Sequence, residues 1–121
     1  MDKSSTFRTG RHCFFDLRVE LVFKPKHRKI FFTNEILKEL NTICEKVCGD
    51  YEAILKHLYS EGNTIKLIVQ YPPKVAVSKI VNSLKSVSSR LLRKKFPEIE
   101  QFYFKRALWS PSYSATSIGD A

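Results

Sequence analysis

The chain has 121 residues and carries 21 Lys and Arg against 12 Asp and Glu, a formal net charge of +9 at pH 7. An apolar fraction of 43%, with nine phenylalanines, excludes a disordered polyelectrolyte and suits one domain with a single core. No apolar run nears the ~20 residues that cross a bilayer, and Met1 to Gly10 lacks an apolar leader, so a cytoplasmic protein with no membrane partner is expected.

Residues 1–12 are mostly polar and predict a flexible N-terminal segment. From Cys13 to Lys24, the residues Phe14, Phe15, Leu17, Val19, Leu21, Val22 and Phe23 predict a strand. It runs into a basic loop, Pro25-Lys26-His27-Arg28-Lys29. Thr33 is placed to N-cap a helix whose stripe is Ile36, Leu37, Leu40, Ile43, Cys44, Val47 and Cys48, and Gly49 to end it as a C′ glycine. Tyr51 to Ser60 predicts a second strand, Ser60 to Asn63 a turn, and Thr64 to Tyr71 a third strand that forms an antiparallel hairpin with the second. Pro72-Pro73 stops further pairing.

A second helix, about Val75 to Phe96, shows Val77, Ile80, Val81, Leu84, Val87, Leu91 and Leu92 on one face and is closed by Pro97. Glu100 to Leu108, with Phe102, Tyr103, Phe104 and Ala107, predicts the fourth strand. Beyond Trp109 the chain is small and polar, and residues 114–121 are expected to fray. The order βαββαβ predicts an α+β ferredoxin-like sandwich, with two helices on one face of a four-stranded antiparallel sheet.

Three cysteines cannot all pair with one another. Cys44 and Cys48 fall on the apolar face of the first helix and Cys13 opens a strand, so all three read as buried free thiols. His12, His27 and His57 do not supply the further ligands that a zinc site needs.

The charge is unevenly placed. The first helix mixes Glu35, Glu39 and Glu45 with Lys38 and Lys46, an ordinary solvated face. Lys74 to Pro97 holds seven basic residues and no acidic one. At about 100° per residue, Lys79, Asn82, Ser83, Ser86, Arg90 and Arg93 gather opposite the apolar stripe. Stacked like charges repel, whereas cations interleaved with hydroxyls and amides suit phosphate oxygens. Lys26, Arg28, Lys79, Asn82, Lys85, Ser86, Arg90 and Arg93 are therefore candidate nucleic-acid contacts. A solvated basic helix and loop is the competing reading.

Four segments together resemble the single-tyrosine HUH transposases of the insertion-sequence-200/605 type. They are Arg11 to Phe23 leading into Lys26-His27-Arg28, Tyr71 to Lys85, Val87 to Arg93, and Leu108 to Tyr113. On that resemblance residues 13–113 form an IS200-like domain. It implies a ferredoxin-like core that dimerises, often by joining two sheets, and recognition of hairpins in single-stranded DNA during DNA transposition. It also implies cleavage by a tyrosine that becomes linked to a 5′ phosphate. Mg or Mn is held by a His-hydrophobe-His pair and a glutamine.

At the pair's position on the third strand this chain has Thr64 and Lys66. Threonine is a weak ligand and an ammonium repels a divalent ion, so no metal or other cofactor is expected and no catalytic residue is assigned. Lys66 could instead meet a phosphate, and joins the candidate DNA contacts; an exposed residue of no function is the alternative. Glu20 and His27 stand where the family usually has histidine and tyrosine. The family's tyrosine helix, with its glutamine, would begin just after Gly119, and Tyr113 matches a structural tyrosine rather than the nucleophile. These departures predict a degenerate, C-terminally truncated member, a pseudoenzyme of a mobile element that retains hairpin binding and a tendency to dimerise or aggregate. An RNA-binding module and a pure dimerisation module of the same topology are the alternatives; the first lacks aromatics on Thr64 to Gln70.

Overall fold

The computed structural model describes residues 8–9, 14–27, 30, 32–102 and 107–119. In chain order the elements are β1 (Arg8–Thr9), β2 (Phe14–Phe15), β3 (Leu17–Pro25), α1 (Asn34–Asp50), β4 (Ile54–Glu61), β5 (Thr64–Tyr71), α2 (Val77–Lys95), a 3-10 turn (Pro97–Phe102) and β6 (Trp109–Ile118). β3 to β6 form one antiparallel sheet in the order β4-β5-β3-β6. With α1 and α2 on one face, this is the expected α+β ferredoxin-like sandwich.

Alternation along the two central strands sets the layers. Val19, Leu21 and Phe23 of β3 and Ile65, Leu67 and Val69 of β5 are buried under the helices. The residues between them, Arg18, Glu20 and Val22 on β3 and Thr64, Lys66 and Ile68 on β5, face the helix-free side. α1 covers the core with Ile36, Leu40, Ile43, Cys44, Val47 and Cys48, and α2 with Ile80, Val81, Leu84 and Leu92. The Thr33 hydroxyl caps α1 by accepting from the Ile36 amide at 3.2 Å, as its place before the stripe predicts. Gly62, at φ 61°, is the first central residue of the two-residue β4–β5 turn, where glycine takes the left-handed conformation freely. Cys44 and Cys48 are buried free thiols, and burial pushes the Cys48 thiol up to about 12. Cys13 lies outside the described residues.

Four expectations are corrected. Arg8–Thr9, placed in a flexible segment, pairs with Phe14–Phe15. The first strand breaks at Asp16, whose carboxylate accepts from the Gln70 amide at 2.8 Å and pairs with Arg18. Gly49 is not the C′ residue of α1. The helix runs to Asp50, and Glu52, at φ 59°, takes the left-handed position. The Ala53 amide then donates to the Cys48 carbonyl at 2.9 Å and the Glu52 amide to the Gly49 carbonyl at 3.0 Å, a Schellman motif.

The fourth strand is the largest correction. It is Trp109–Ile118, not Glu100 to Leu108, so residues 114–118 are ordered in the sheet rather than frayed. Pro97–Phe102 coils into a 3-10 turn because Phe96 and Ile99 are drawn into the core at the end of α2. Residues 103–106 lie outside the described residues. β6 is a strand through its ladder to β3, from Pro25↔Trp109 to Arg18↔Ile118. Its own pattern is nearly featureless, because Tyr113, Ala115 and Ser117, on the helix side, stay exposed.

Candidate nucleic-acid interface

Helix α2 buries one stripe and turns the other out, and the start of β6 is fastened against it by polar side chains. The Trp109 indole N–H donates to the buried Ser88 hydroxyl at 2.9 Å, and the Leu108 amide to the Ser89 hydroxyl at 3.2 Å. Lys85 Nζ donates to the Ser110 carbonyl at 2.7 Å and the Pro111 carbonyl at 3.2 Å. The Lys26 amide closes the same corner on the Leu108 carbonyl at 2.8 Å. Trp109 is clamped between rings, stacked on Phe32 and tilted on Phe23, each with centroids 5.5 Å apart.

These contacts leave a concave cleft of about 460 Å³ between α2, the end of β3 and the start of β6. Lys26, Lys85, Arg90 and Arg93 supply cations; Asn82, Ser86 and Ser89 supply neutral donors between them. Ala107, Leu108, Trp109 and Pro111 form the apolar part of the lining. Interleaved cations and hydroxyls around an apolar patch can hold phosphates at the rim and a sugar or base within.

Of the expected contacts, Lys26, Asn82, Lys85, Ser86, Arg90 and Arg93 come together here. Lys79 is exposed on α2 but does not line the cleft, and Arg28 lies outside the described residues. Besides Ser88 and Ser89, further side chains of the basic helix have structural partners, Lys95 with Glu39 among them. Lys85 Nζ, besides its two carbonyls, sits 6.0 Å from the Phe23 ring centroid and 5.6 Å from that of Tyr113, and burial lowers its pKa. The Ser83 hydroxyl bonds the Tyr51 phenol. Ser89, Ala107, Leu108, Trp109 and Pro111 were not among the expected contacts. The Leu108 to Tyr113 motif is the sequence signal that marks most of them.

Lys66 lies elsewhere, on the helix-free face, beside Thr64 on the same strand. It forms an ion pair with Glu61 at the hairpin tip; that hydrogen bond, with smaller contributions from Tyr59 and Glu20, raises its pKa. A cation is thus already lodged where the resemblance places a divalent metal. Thr64 contributes one neutral hydroxyl, and among the described residues no three His, Cys, Asp or Glu side chains converge. This donor set does not fit a divalent ion. No helix among the described residues is long and apolar enough to cross a membrane.

The family model described as "Transposase IS200 like" matches residues 13–121. The transposase for insertion sequence element IS200 of Salmonella typhimurium is 26% identical over 118 residues, 98% of this chain and 75% of that protein. The ISDra2 transposase TnpA of Deinococcus radiodurans is 20% identical over 113 residues, covering 93% and 81% of the two chains. Two solved structures share the fold. A Deinococcus radiodurans R1 protein described as a transposase superposes with a TM-score of 0.82 at 23% identity, covering 93% of this chain and 87% of its own. A REP-associated tyrosine transposase bound to a REP hairpin gives 0.65 at 11% identity, covering 94% and 63%. With the matched family model spanning nearly the whole chain, the protein belongs to the IS200-like transposases.

Proposed function

We propose that this protein binds hairpins of single-stranded DNA in the cleft between α2 and β6, as a DNA-transposition protein by lineage, and performs no metal-dependent strand cleavage at Thr64 and Lys66. The cleft carries the first part. Lys26, Arg90 and Arg93 surround a nucleotide-sized concavity with neutral donors between them, and a relative of the same fold is bound to a REP hairpin. The misfit of Thr64 and Lys66 to a divalent ion supports the second part. A homodimer belongs to the same reading, supported by the uncharged outer edge of β6.

Fluorescence anisotropy with a labelled DNA hairpin tests the binding. Arg90→Glu with Arg93→Glu should weaken it by about a hundredfold, since two charge-assisted phosphate contacts become repulsions. The affinity of the unaltered protein should fall steeply with salt, with a log–log slope of roughly −2 to −3 for three displaced counterions. Unchanged affinity in the double variant would remove α2 from the site, and tighter binding of unstructured RNA would favour an RNA-binding module. A covalent protein–DNA adduct formed with Mg²⁺ or Mn²⁺ would overturn the non-cleaving part.

A further inference from the structure

The helix-free face of the sheet carries chemistry that the cleft leaves unused. His57 and Tyr59 stand two residues apart on β4 and share that face, ring centroids 5.0 Å apart and planes at 37°. His57 is exposed and Tyr59 half-buried. A bulge between Leu55 and His57 sets exposed Lys56 beside them. Across the ladder Tyr59 faces Lys66 and His57 faces half-buried Ile68. Two rings, an aliphatic surface and ammonium groups therefore adjoin, on the face that no helix covers.

Charge on this face is only a small cationic excess, with Arg18, Lys24, Lys56 and Lys66 against Glu20 and Glu61, and Arg18 is already paired with Asp16. The field alone is too weak to hold a polyanion, and stacking must supply most of any contact. Base–aromatic stacking does so without regard to sequence, because every base has a π face.

We infer that His57 and Tyr59 form a stacking platform for unpaired bases of single-stranded DNA, with Lys66 receiving an adjoining phosphate. The inference rests on the DNA-binding reading above but uses a separate surface. The Lys66 ammonium is held by exposed Glu61, so a phosphate reaching it competes with that carboxylate. Glu61 is in this respect a restraint on binding, and its neutralisation frees the cation.

Two probes separate this surface from the cleft when tested on the full chain: an oligothymidylate dodecamer, which forms no hairpin, and a blunt hairpin with no unpaired flank. Tyr59→Leu keeps apolar bulk but removes the π face. Combined with His57→Ala, it should weaken dodecamer binding by about tenfold or more and leave the blunt hairpin unaffected. Glu61→Gln should tighten dodecamer binding severalfold. The Arg90→Glu and Arg93→Glu variant should show the converse selectivity, losing the hairpin and keeping the dodecamer. The platform is overturned if the unaltered protein fails to bind the dodecamer, or if the Tyr59→Leu, His57→Ala variant binds it equally well. Tighter binding of the matching oligouridylate would overturn the assignment to DNA. Each of these failures leaves hairpin binding in the cleft to be judged by its own variant.

Discussion

Ser88 shows how much one hydroxyl can decide. It is 1% exposed, accepts the Trp109 indole N–H, and donates to the Lys85 carbonyl at 3.3 Å. Ser88→Ala strands a buried N–H, and should lower stability by about 1–3 kcal/mol in urea unfolding. Because Trp109 opens β6 and lines the cleft, hairpin affinity should fall with it. Thr64 and Lys66 allow the opposite experiment, a gain. They share one face of β5, and Glu61 and Glu20 lie close by. Thr64→His with Lys66→His removes the ammonium and sets two imidazoles at spacing i, i+2. The melting temperature of the double variant should rise with Zn²⁺ or Mn²⁺, by the equivalent of about 2.7 kcal/mol at a hundredfold excess over Kd, while the unaltered protein stays unchanged. A variant that melts independently of metal would locate the obstacle in the surroundings rather than in these two side chains. The strand period alone placed Thr64 and Lys66 on one face. That Glu61 occupies Lys66, and that Lys85 braces the carbonyls of Ser110 and Pro111, are contacts made only when distant segments meet, and no local pattern carries them.

At the scale of elements, the end of α1 stores a local conflict. Glu52 sits in the left-handed region, which costs an L-residue roughly 1–2 kcal/mol in general, while the Schellman bonds to Cys48 and Gly49 hold it there. Glu52→Gly relieves the conflict and gives up only the exposed ion pair with Lys74, worth little in water. The urea midpoint should rise; a fall would mean that the ion pair outweighs the backbone. Gly49 drew the sequence-based expectation because a glycine near the end of an apolar stripe usually supplies the positive φ. Here the stripe continues through Ala53, buried at 6%, and pulls the helix past it. β6 was illegible for a related reason. A strand advertises itself when one face is apolar and covered, and β6 has neither property: Tyr113 to Ile118 is Tyr-Ser-Ala-Thr-Ser-Ile. Phe102, Tyr103 and Phe104 carried the composition of a strand, but the 3-10 turn already claims Phe102. β3, β5, α1 and α2 were legible because each buries one periodic face, and the cleft was half legible because its cations repeat along a single helix.

For the molecule as a whole, the two edges of the sheet differ in a way that bears on assembly. β4 carries the devices that block edge pairing, with a bulge and the charged or titratable residues Lys56, His57 and Glu61. β6 spans ten residues from Trp109 to Ile118 without a single charge, has its one proline, Pro111, near its start so that Ser112 to Ile118 keep every backbone N–H, and pairs only with β3 among the described residues. A long uncharged edge exposes a row of backbone donors and acceptors that a second copy can satisfy. Antiparallel pairing about a two-fold axis sets each β6 against its own copy, so the two ladders would join into one sheet. The same symmetry makes the arrangement testable by like charge. Ser114 and Thr116 lie opposite Val22 and Glu20 on the helix-free face, where lysine costs the monomer little. In a symmetric dimer, Ser114→Lys with Thr116→Lys would bring lysines together across the new ladder, which is destabilising at every cross-strand pair. Light scattering should therefore find a dimer for the unaltered protein and a monomer for the double variant, with equal circular dichroism. A monomer in both cases, or a dimer in both, would show that β6 does not join the copies.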